Sequence, residues 1–445
     1  MTLSIIILAA GAGTRMLSDR AKVLHEVAGA PMLAHTLATA RALAPGAVTL
    51  VTGHGGAEVA AAALALDPEV RIAEQTERLG TAHAVLAAGA QAPGGAIVLY
   101  ADTPLVTAET LSRMRAERAA GADVVVLGFE AVDPTGYGRL ILDAAGGLAR
   151  IVEEKDADAA ERAVTLCNSG VVAADAALLR ELCAATGNDN AKGEFYLTEI
   201  VGLARDRGLT AAVVTCAEAE TLGVNSRTDL AAAEAAFQER ARAEALAAGV
   251  TLQAPETVHF AFDTVIGRDA TVEPYVVFGP GVTVETGARI RAFTHLEDCH
   301  IATGASVGPH ARLRGGAEVG NDARIGNFVE IKGSEIGEGA KIGHLTYVGD
   351  ATVGDGANLG AGTVTCNYDG VSKHRTEIGE RAFIGSSTML VAPVRVGAEA
   401  MTGSGSVITM DVEDGALAIG RGRQVTKPGL ARKLMARLRA AKEGR

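Results

Sequence analysis

The sequence predicts an α/β protein in three parts: an N-terminal domain with a mainly parallel sheet, a helical connector, and a C-terminal parallel β-helix of hexapeptide repeats. Three observations carry this. Short apolar runs alternate with Ala- and Leu-rich stretches through the first half. A run from Arg227 to Ala248 contains neither Gly nor Pro. Beyond it, an apolar residue recurs every six positions, through more than twenty positions.

Taken in order, Ser4–Leu8, Val48–Val51, Ala96–Tyr100 and Val124–Leu127 have the length and apolarity of buried strands, and 31–44, 82–92 and 108–120 read as the helices between them. The Arg227–Ala248 run follows the cap-type residues Asn225 and Ser226, with Thr228 close behind, and ends before Gly249, a natural C′ residue. In the second half Ile266, Val272, Phe278, Val284, Ile290 and Leu296 hold one frame. The frame shifts by one residue at intervals and resumes through Ile378, Ile384, Leu390 and Val396. Gly often follows the apolar residue, as at Gly267, Gly320, Gly337 and Gly360. Each apolar side chain is expected to point into a prism, with the small residue at a tight corner. Segment 361–377 interrupts the frame, and such insertions map to a loop on one face, often the binding face. The domains are therefore placed at 1–226, 227–249 (connector), 250–425 and 426–445 (basic tail).

The chain has 445 residues and a net charge of −12, which argues against nucleic acid as a partner. The tail from Arg421 onward carries nine Lys/Arg and one acid, so the charge elsewhere is −20. Leu430, Leu434 and Leu438 recur there at helical spacing, which suits either a solvated tail or a membrane-surface helix; the solvated tail is the preferred reading. Five widely spaced cysteines without a C-x-x-C pair fit reduced thiols in a cytoplasm. The N-terminal apolar run lacks a charged n-region and reads as a strand rather than a signal peptide, and no apolar stretch is long enough to span a bilayer.

Two constellations carry chemistry. The segment Leu8–Met16, LAAGAGTRM, lies between a strand and an expected helix, with Lys22 close behind. It has Met16 where a dinucleotide fingerprint needs Gly, yet a glycine loop with Arg15 and Lys22 suits phosphates. Asp102 follows a central strand at its carboxyl end, where open α/β sheets bind ligands and where a carboxylate suits Mg²⁺ beside phosphates; a plain turn cap before Pro104 explains it equally well. Gln75, Gly80 and Thr81 precede a helix start, where Thr81 serves as N-cap, ligand contact or both. In the repeats, His344 read alone is a structural turn residue. Its company of Arg314, Lys332, Tyr347 and Asn358, at spacings near one coil or less, suits a sugar phosphate instead.

LAAGAGTRM with Lys22, LGT (79–81), YAD (100–102), DPTGYGR (133–139), VEEKD (152–156), NSG (168–170) and GVN (223–225) resemble a sugar-nucleotide pyrophosphorylase domain. With NFVEIK (327–332), GHLTYVGD (343–350) and GAGTVTCNYDG (360–370), nearly the whole chain resembles the bacterial family of bifunctional N-acetylglucosamine-1-phosphate uridyltransferases/glucosamine-1-phosphate acetyltransferases. The resemblance implies a Rossmann-like nucleotidyltransferase domain, a left-handed β-helix and a homotrimer. It also implies UDP-N-acetylglucosamine synthesis for peptidoglycan and lipopolysaccharide precursors. It assigns Leu8, Ala9, Ala10, Gly11, Gln75, Gly80 and Thr81 to the uridine end of the site, and Arg15 and Lys22 to the UTP phosphates. Tyr100, Ala101, Gly138, Glu153 and Asn168 fall to N-acetylglucosamine-1-phosphate, and Asp102 and Asn225 to Mg²⁺. In the second half it assigns His344 as general base, Arg314, Lys332, Tyr347 and Asn358 to glucosamine-1-phosphate, and Glu330 to orientation. Ala361, Asn367, Tyr368, Ser386, Ser404 and Arg421 would line acetyl-CoA. The chain departs from the family pattern at Ala101, where Gly is usual, at Gly315, where Pro is common, and at Ser404, where Ala is frequent.

Overall fold

A computed structural model describes residues 2–11, 13–53, 56–190 and 193–443. Met1 of the first domain, Ala12 of the glycine loop and the last two residues of the basic tail lie outside the described residues. The chain divides into two compact units, residues 1–244 with 260–263, and residues 245–259 with 264–445.

The first unit is built on β1 (Thr2–Ala9), β2 (Ala47–Gly53), β3 (Arg71–Gln75), β4 (Gly94–Tyr100), β5 (Val124–Glu130), β6 (Arg139–Leu142), β7 (Leu148–Val152), β8 (Leu166–Asp175) and β9 (Ala211–Cys216). The sheet order is β9-β5-β8-β4-β1-β2-β3, with the hairpin β6–β7 branching from β8. All neighbours on the main path are parallel except β8, which runs antiparallel to both β4 and β5. Alternation within β1 explains its unbroken apolar run. Ile5 and Ile7 pack on one face with Leu33 and Leu37 of α1 (Met32–Ala42), Val59 and Ala63 of α2 (Ala57–Leu66) and Leu111. Ile6 and Leu8 pack on the other with Val85, Leu179, Leu182 and Ile200. Helices thus cover both faces, as a mainly parallel sheet requires. Each fully buried Ile or Leu contributes about 1.5–3 kcal/mol to that packing.

Three local expectations change. The helix expected over 82–92 is α3 (Thr81–Ala87). It stops at Gly89, whose φ of +74° ends a helix readily. The glycine loop is followed by 3₁₀ turns at Thr14–Met16 and Lys22–Leu24, not by an α-helix. Thr81 caps nothing: Gly80 is the N-cap residue, and Thr81 Oγ1 instead accepts the Leu197 N–H at 2.9 Å. The Ala82 N–H in the first turn donates to the Phe195 carbonyl at 3.0 Å. α4 (Ala108–Ala119) forms where expected, capped by the Thr107 side chain.

After the short α5 (Ala159–Arg162), α6 (Ala176–Ala184) and α7 (Glu199–Asp206), the run 227–248 forms α8 (Arg227–Ala247). Most of α8 belongs to the first unit. Its Gln238 donates to the Phe260 carbonyl at 2.7 Å, and the Phe262 N–H donates to the Ala28 carbonyl at 2.8 Å.

The second unit is a parallel β-helix of three sheets with ten, eight and eight strands. One interior ladder runs Val272, Ile290, Val307, Ile325, Ile342, Leu359 and Ile384, all buried. On another of the three sheets, the interior position at Thr365 carries a hydroxyl, satisfied by the Gly349 N–H at 2.8 Å and the Gly349 carbonyl at 3.1 Å. The repeat glycines are small because coils stack closely: a Cβ on Gly320 would lie 2.8 Å from the Ile336 carbonyl oxygen of the next coil. The insertion is shorter than 361–377, because Val364–Cys366 is still a strand of the coil.

The corner between the first and third sheets carries a second ladder, of residues with positive φ: Tyr275, Phe293, His310, Phe328, Leu345, Gly362, Ser387 and Gly405. The first four rings stack, with centroids 4.9–5.1 Å apart. The corner is bulky up to Leu345 and small beyond it. The tail carries α9 (Leu430–Glu443), a helix without a buried residue. No helix among the described residues is long and apolar enough to cross a membrane.

Candidate active sites

Residues at the carboxyl ends of β1, β3 and β4 line a cavity of about 310 Å³ in the first unit. They include Leu8, Ala9, Ala10, Gly11, Lys22, Gln75, Gly80, Thr81, Tyr100 and Asp102. Gly13 keeps Lys22 close: its φ is +61°, and a Cβ there would meet the Lys22 Cβ at 2.7 Å. Arg15 lies exposed in the turn and does not line this cavity. Ala101 is fully buried, its methyl accommodated in the core beside β1.

Lys22 is the centre of this site. Its buried ammonium forms an ion pair with Asp102 and donates to Asn225 Oδ1 at 3.1 Å. Topology brings Asn225 here, since the Val224 N–H donates to the Asp102 carbonyl at 2.9 Å. Asp229 of α8 then fixes the Asn225 and Ser226 N–H groups, each at 2.9 Å. A carboxylate oxygen and an amide oxygen therefore converge on one cation. That donor set fits a hard divalent ion completed by phosphate oxygens and water. Among the described residues no group of three or more His, Cys, Asp or Glu is placed to hold a metal.

A second cavity of about 440 Å³ adjoins the first, sharing Thr81, Tyr100 and Glu194. Gly138, Glu153 and Asn168 line it. Asn168 sits where β8 shifts register before Val172, and such bulges re-aim side chains. Its N–H donates to the Gly138 carbonyl at 2.8 Å. Gly170, with φ +90°, lets the Tyr100 ring approach, since a Cβ there would lie 2.8 Å from it. Burial, with the nearby Asp102 and Glu153 charges, pushes the Tyr100 phenol well above its usual range, so it remains a neutral donor. Sequence reasoning missed Glu194, Tyr196 and Thr198, which line this cavity. They sit in an irregular strap whose Phe195 pairs through its backbone with Leu79 and Ala82, leaving no periodic signal to read.

In the β-helix, Arg314, Lys332 and Gly349 occupy one level of adjacent strands, and Glu330 pairs with Tyr347 one level over. Glu330 accepts from Arg314 at 2.8 Å, and Asp350 accepts from Lys332 at 3.2 Å. Asn367 contacts Asp350 and lies 3.5 Å from the Tyr347 hydroxyl. Burial works against the Asp350 charge, but hydrogen bonds from Asn367 and Lys332 hold its carboxyl below the usual range. Lys373 was missed. It lies in the insertion, and the adjoining Lys332 charge pushes its ammonium below the usual lysine range. Such crowded cations gain from a bound dianion. Gly315 has φ +62°, which proline cannot adopt, so this turn differs from one built on proline. Asn358 is not brought to this cluster: it pairs with Lys341 on another sheet.

His344 ends a strand one corner away from Tyr347 and contacts Asn327 through Nδ1. The next coils stack over it in line. The Gly362 N–H donates to the His344 carbonyl at 3.3 Å, Ser387 to Ala361 at 2.8 Å, and Gly405 to Ser386 at 2.8 Å. Arg421 donates to the Ser404 carbonyl. Ala361, Ser386, Ser404 and Arg421 thus form one column leading away from His344, about 4.8 Å per coil. Tyr368 lies half-exposed in the insertion, its hydroxyl donating to the Gly370 carbonyl at 2.6 Å.

Two adjoining cavities at strand ends, joined in one chain to a β-helix with its own cation-rich cluster, define a nucleotidyltransferase domain fused to a hexapeptide-repeat domain. Residues 5–192 match the MobA-like NTP transferase domain. The chain is 60% identical over 446 residues to "Bifunctional protein GlmU" of Jannaschia sp. (strain CCS1), covering 100% of this chain and 98% of that protein. It is 63% identical to the proteins of the same name from Paracoccus denitrificans (strain Pd 1222) and Cereibacter sphaeroides (strain ATCC 17025 / ATH 2.4.3), with 99% of this chain and 98% of each relative covered. The chain belongs to the GlmU family.

Proposed function

We propose that this enzyme makes UDP-N-acetylglucosamine by two transfers at separate sites. In the β-helix, the amine of glucosamine-1-phosphate attacks the acetyl-CoA thioester carbon. His344 takes the amine proton as general base, the C–S bond breaks, and the same proton passes to the departing thiolate, which leaves as coenzyme A thiol. Arg314, Lys332 and Lys373 hold the phosphate, Tyr347 and Glu330 orient the sugar, and the column from Ala361 to Arg421 holds acetyl-CoA with Asn367 and Tyr368. We place Asn358 with a substrate bound across copies of a homotrimer; its position on another sheet and the half-exposed ladder Tyr275–Leu345 support that reading.

In the first domain, a phosphate oxygen of N-acetylglucosamine-1-phosphate attacks the α-phosphorus of UTP, and the bond to pyrophosphate breaks. The smaller cavity takes the nucleotide and the larger takes the sugar, with Gly138, Glu153 and Asn168 around it. Lys22, with Arg15 from the exposed turn, neutralises the charge that develops on the phosphates. Asp102 and Asn225 would hold Mg²⁺, which when bound neutralises phosphate charge. The observation that carries this reading is the convergence of Asp102 and Asn225 on Lys22, which lines the smaller cavity next to the larger one. The functional boundaries follow as 1–226, 227–249, 250–425 and 426–445, in a cytoplasmic enzyme.

Separate assays of the two half-reactions test the assignment. His344→Ala should abolish acetyl transfer and leave uridylyl transfer to supplied N-acetylglucosamine-1-phosphate intact, and Asp102→Asn should do the reverse. Loss of both reactions in either folded variant refutes two independent sites.

A further inference from the structure

We propose that Arg139 is a positioning residue for the sugar-phosphate cavity, acting through Glu154 to hold together the two loops that carry Gly138 and Glu153. The proposal rests on the assignment of the larger cavity to the sugar phosphate. Arg139 opens β6 directly after Gly138, and Glu154 directly follows Glu153. The Arg139 side chain is 2% exposed. Its guanidinium donates to Glu154 Oε2 at 2.6 Å, to the Arg162 carbonyl at 3.4 Å, and to the Tyr137 carbonyl. One buried cation thus ties the 133–138 loop, the 153–158 turn and the end of α5.

Nothing about the fold alone asks for a charge here. Leu140, the next residue along β6, packs into the core as an ordinary apolar side chain. The Arg139 Nε is buried without a hydrogen-bond partner among the described residues, an unfavourable arrangement that an apolar residue would avoid. What the guanidinium supplies is a fixed span. Its planar fork sets the distance between two carbonyls and a carboxylate more tightly than apolar packing would. Glu153 shares that constraint, because its neighbour is pinned while its own Oε1 receives the Thr198 hydroxyl at 3.3 Å. Gly138 shares it from the other side, and passes it to Asn168 through their 2.8 Å hydrogen bond. Gly138, Glu153 and Asn168 are therefore set by one ion pair, whose buried Arg139 stands behind the cavity wall while its partner Glu154 lines the cavity beside Glu153.

Loosening the pair should weaken binding of the sugar phosphate without touching the nucleotide side. The test is steady-state kinetics of uridylyl transfer on the full chain with Arg139→Lys and Glu154→Gln, with acetyl transfer as a check on folding. Arg139→Lys should raise KM for N-acetylglucosamine-1-phosphate about tenfold, as expected for losing a charged hydrogen bond, while KM for UTP changes less than about twofold. Glu154→Gln, on a partly exposed partner, should shift the same KM in the same direction by less. An unchanged sugar-phosphate KM with only a lower kcat or melting temperature overturns the proposal alone. A wild-type chain without saturable dependence on N-acetylglucosamine-1-phosphate overturns it together with the cavity assignment.

Discussion

Asp102, Asn225 and Lys22 show how differently single residues announce themselves. The position of Asp102 just past the carboxyl end of β4 was legible in the sequence, because the alternation marks that strand as central, while its role was not, since a turn cap explained it equally well. Asn225 was not legible from spacing: it lies 203 positions from Lys22, and only the return of the chain beside the Asp102 carbonyl brings it in. Resemblance alone named it. Lys373 was invisible for a third reason, since an insertion has no frame to place its side chains. The shared Lys22 contact has a direct consequence. With Asp102 and Asn225 both holding the ammonium, a divalent cation must compete with it for the same oxygens. Lys22→Met should therefore bind Mn²⁺ more tightly than wild type in the absence of nucleotide, as read by titration. The same variant should lose roughly 10²–10³-fold in uridylyl-transfer kcat, the usual cost of removing one charge-stabilising donor. Unchanged Mn²⁺ affinity would show that Lys22 does not guard those ligands.

At the scale of elements, the hexapeptide frame was readable because every coil repeats one requirement, an apolar residue facing the prism. The reason for the glycines was less readable. Many serve close stacking between coils rather than a positive φ, as at Gly320. The corner ladder was not readable at all, since its members share a backbone conformation rather than a side-chain type. That ladder yields a test with a built-in control. Ser387 has φ +56°, matching Phe293 at +59° and Phe328 at +56°. Phenylalanine therefore fits this corner's backbone, and Ser387→Phe should fold normally. It should also fill the small-residue stretch beside Ala361 and Ser386, raising KM for acetyl-CoA by about tenfold or more while uridylyl transfer is unaffected. An unchanged acetyl-CoA KM would remove that column from the acetyl-CoA site.

At the scale of the whole molecule, the first domain was legible in outline because burial on both faces of a parallel sheet leaves continuous apolar runs. The helix start at Thr81 was misread because tertiary pairing with the strap at Phe195 overrides local capping preference. Charge is distributed to match the function. The body is strongly acidic, yet cations gather at Lys22 and at the Arg314, Lys332 and Lys373 cluster, where anionic substrates are assigned. All five cysteines are free thiols, and burial pushes Cys183, Cys216 and Cys299 up to about 12.

Two separate sites joined by a diffusible intermediate should complement each other between variants, and mixing two such variants tests this. His344→Ala and Asp102→Asn chains are each given glucosamine-1-phosphate, acetyl-CoA, UTP and Mg²⁺, and the products are identified by mass. Each variant alone should yield no UDP-N-acetylglucosamine, and the two mixed should restore it, with N-acetylglucosamine-1-phosphate passing from one variant to the other. A mixture as inactive as its components, with both variants folded, would contradict the account.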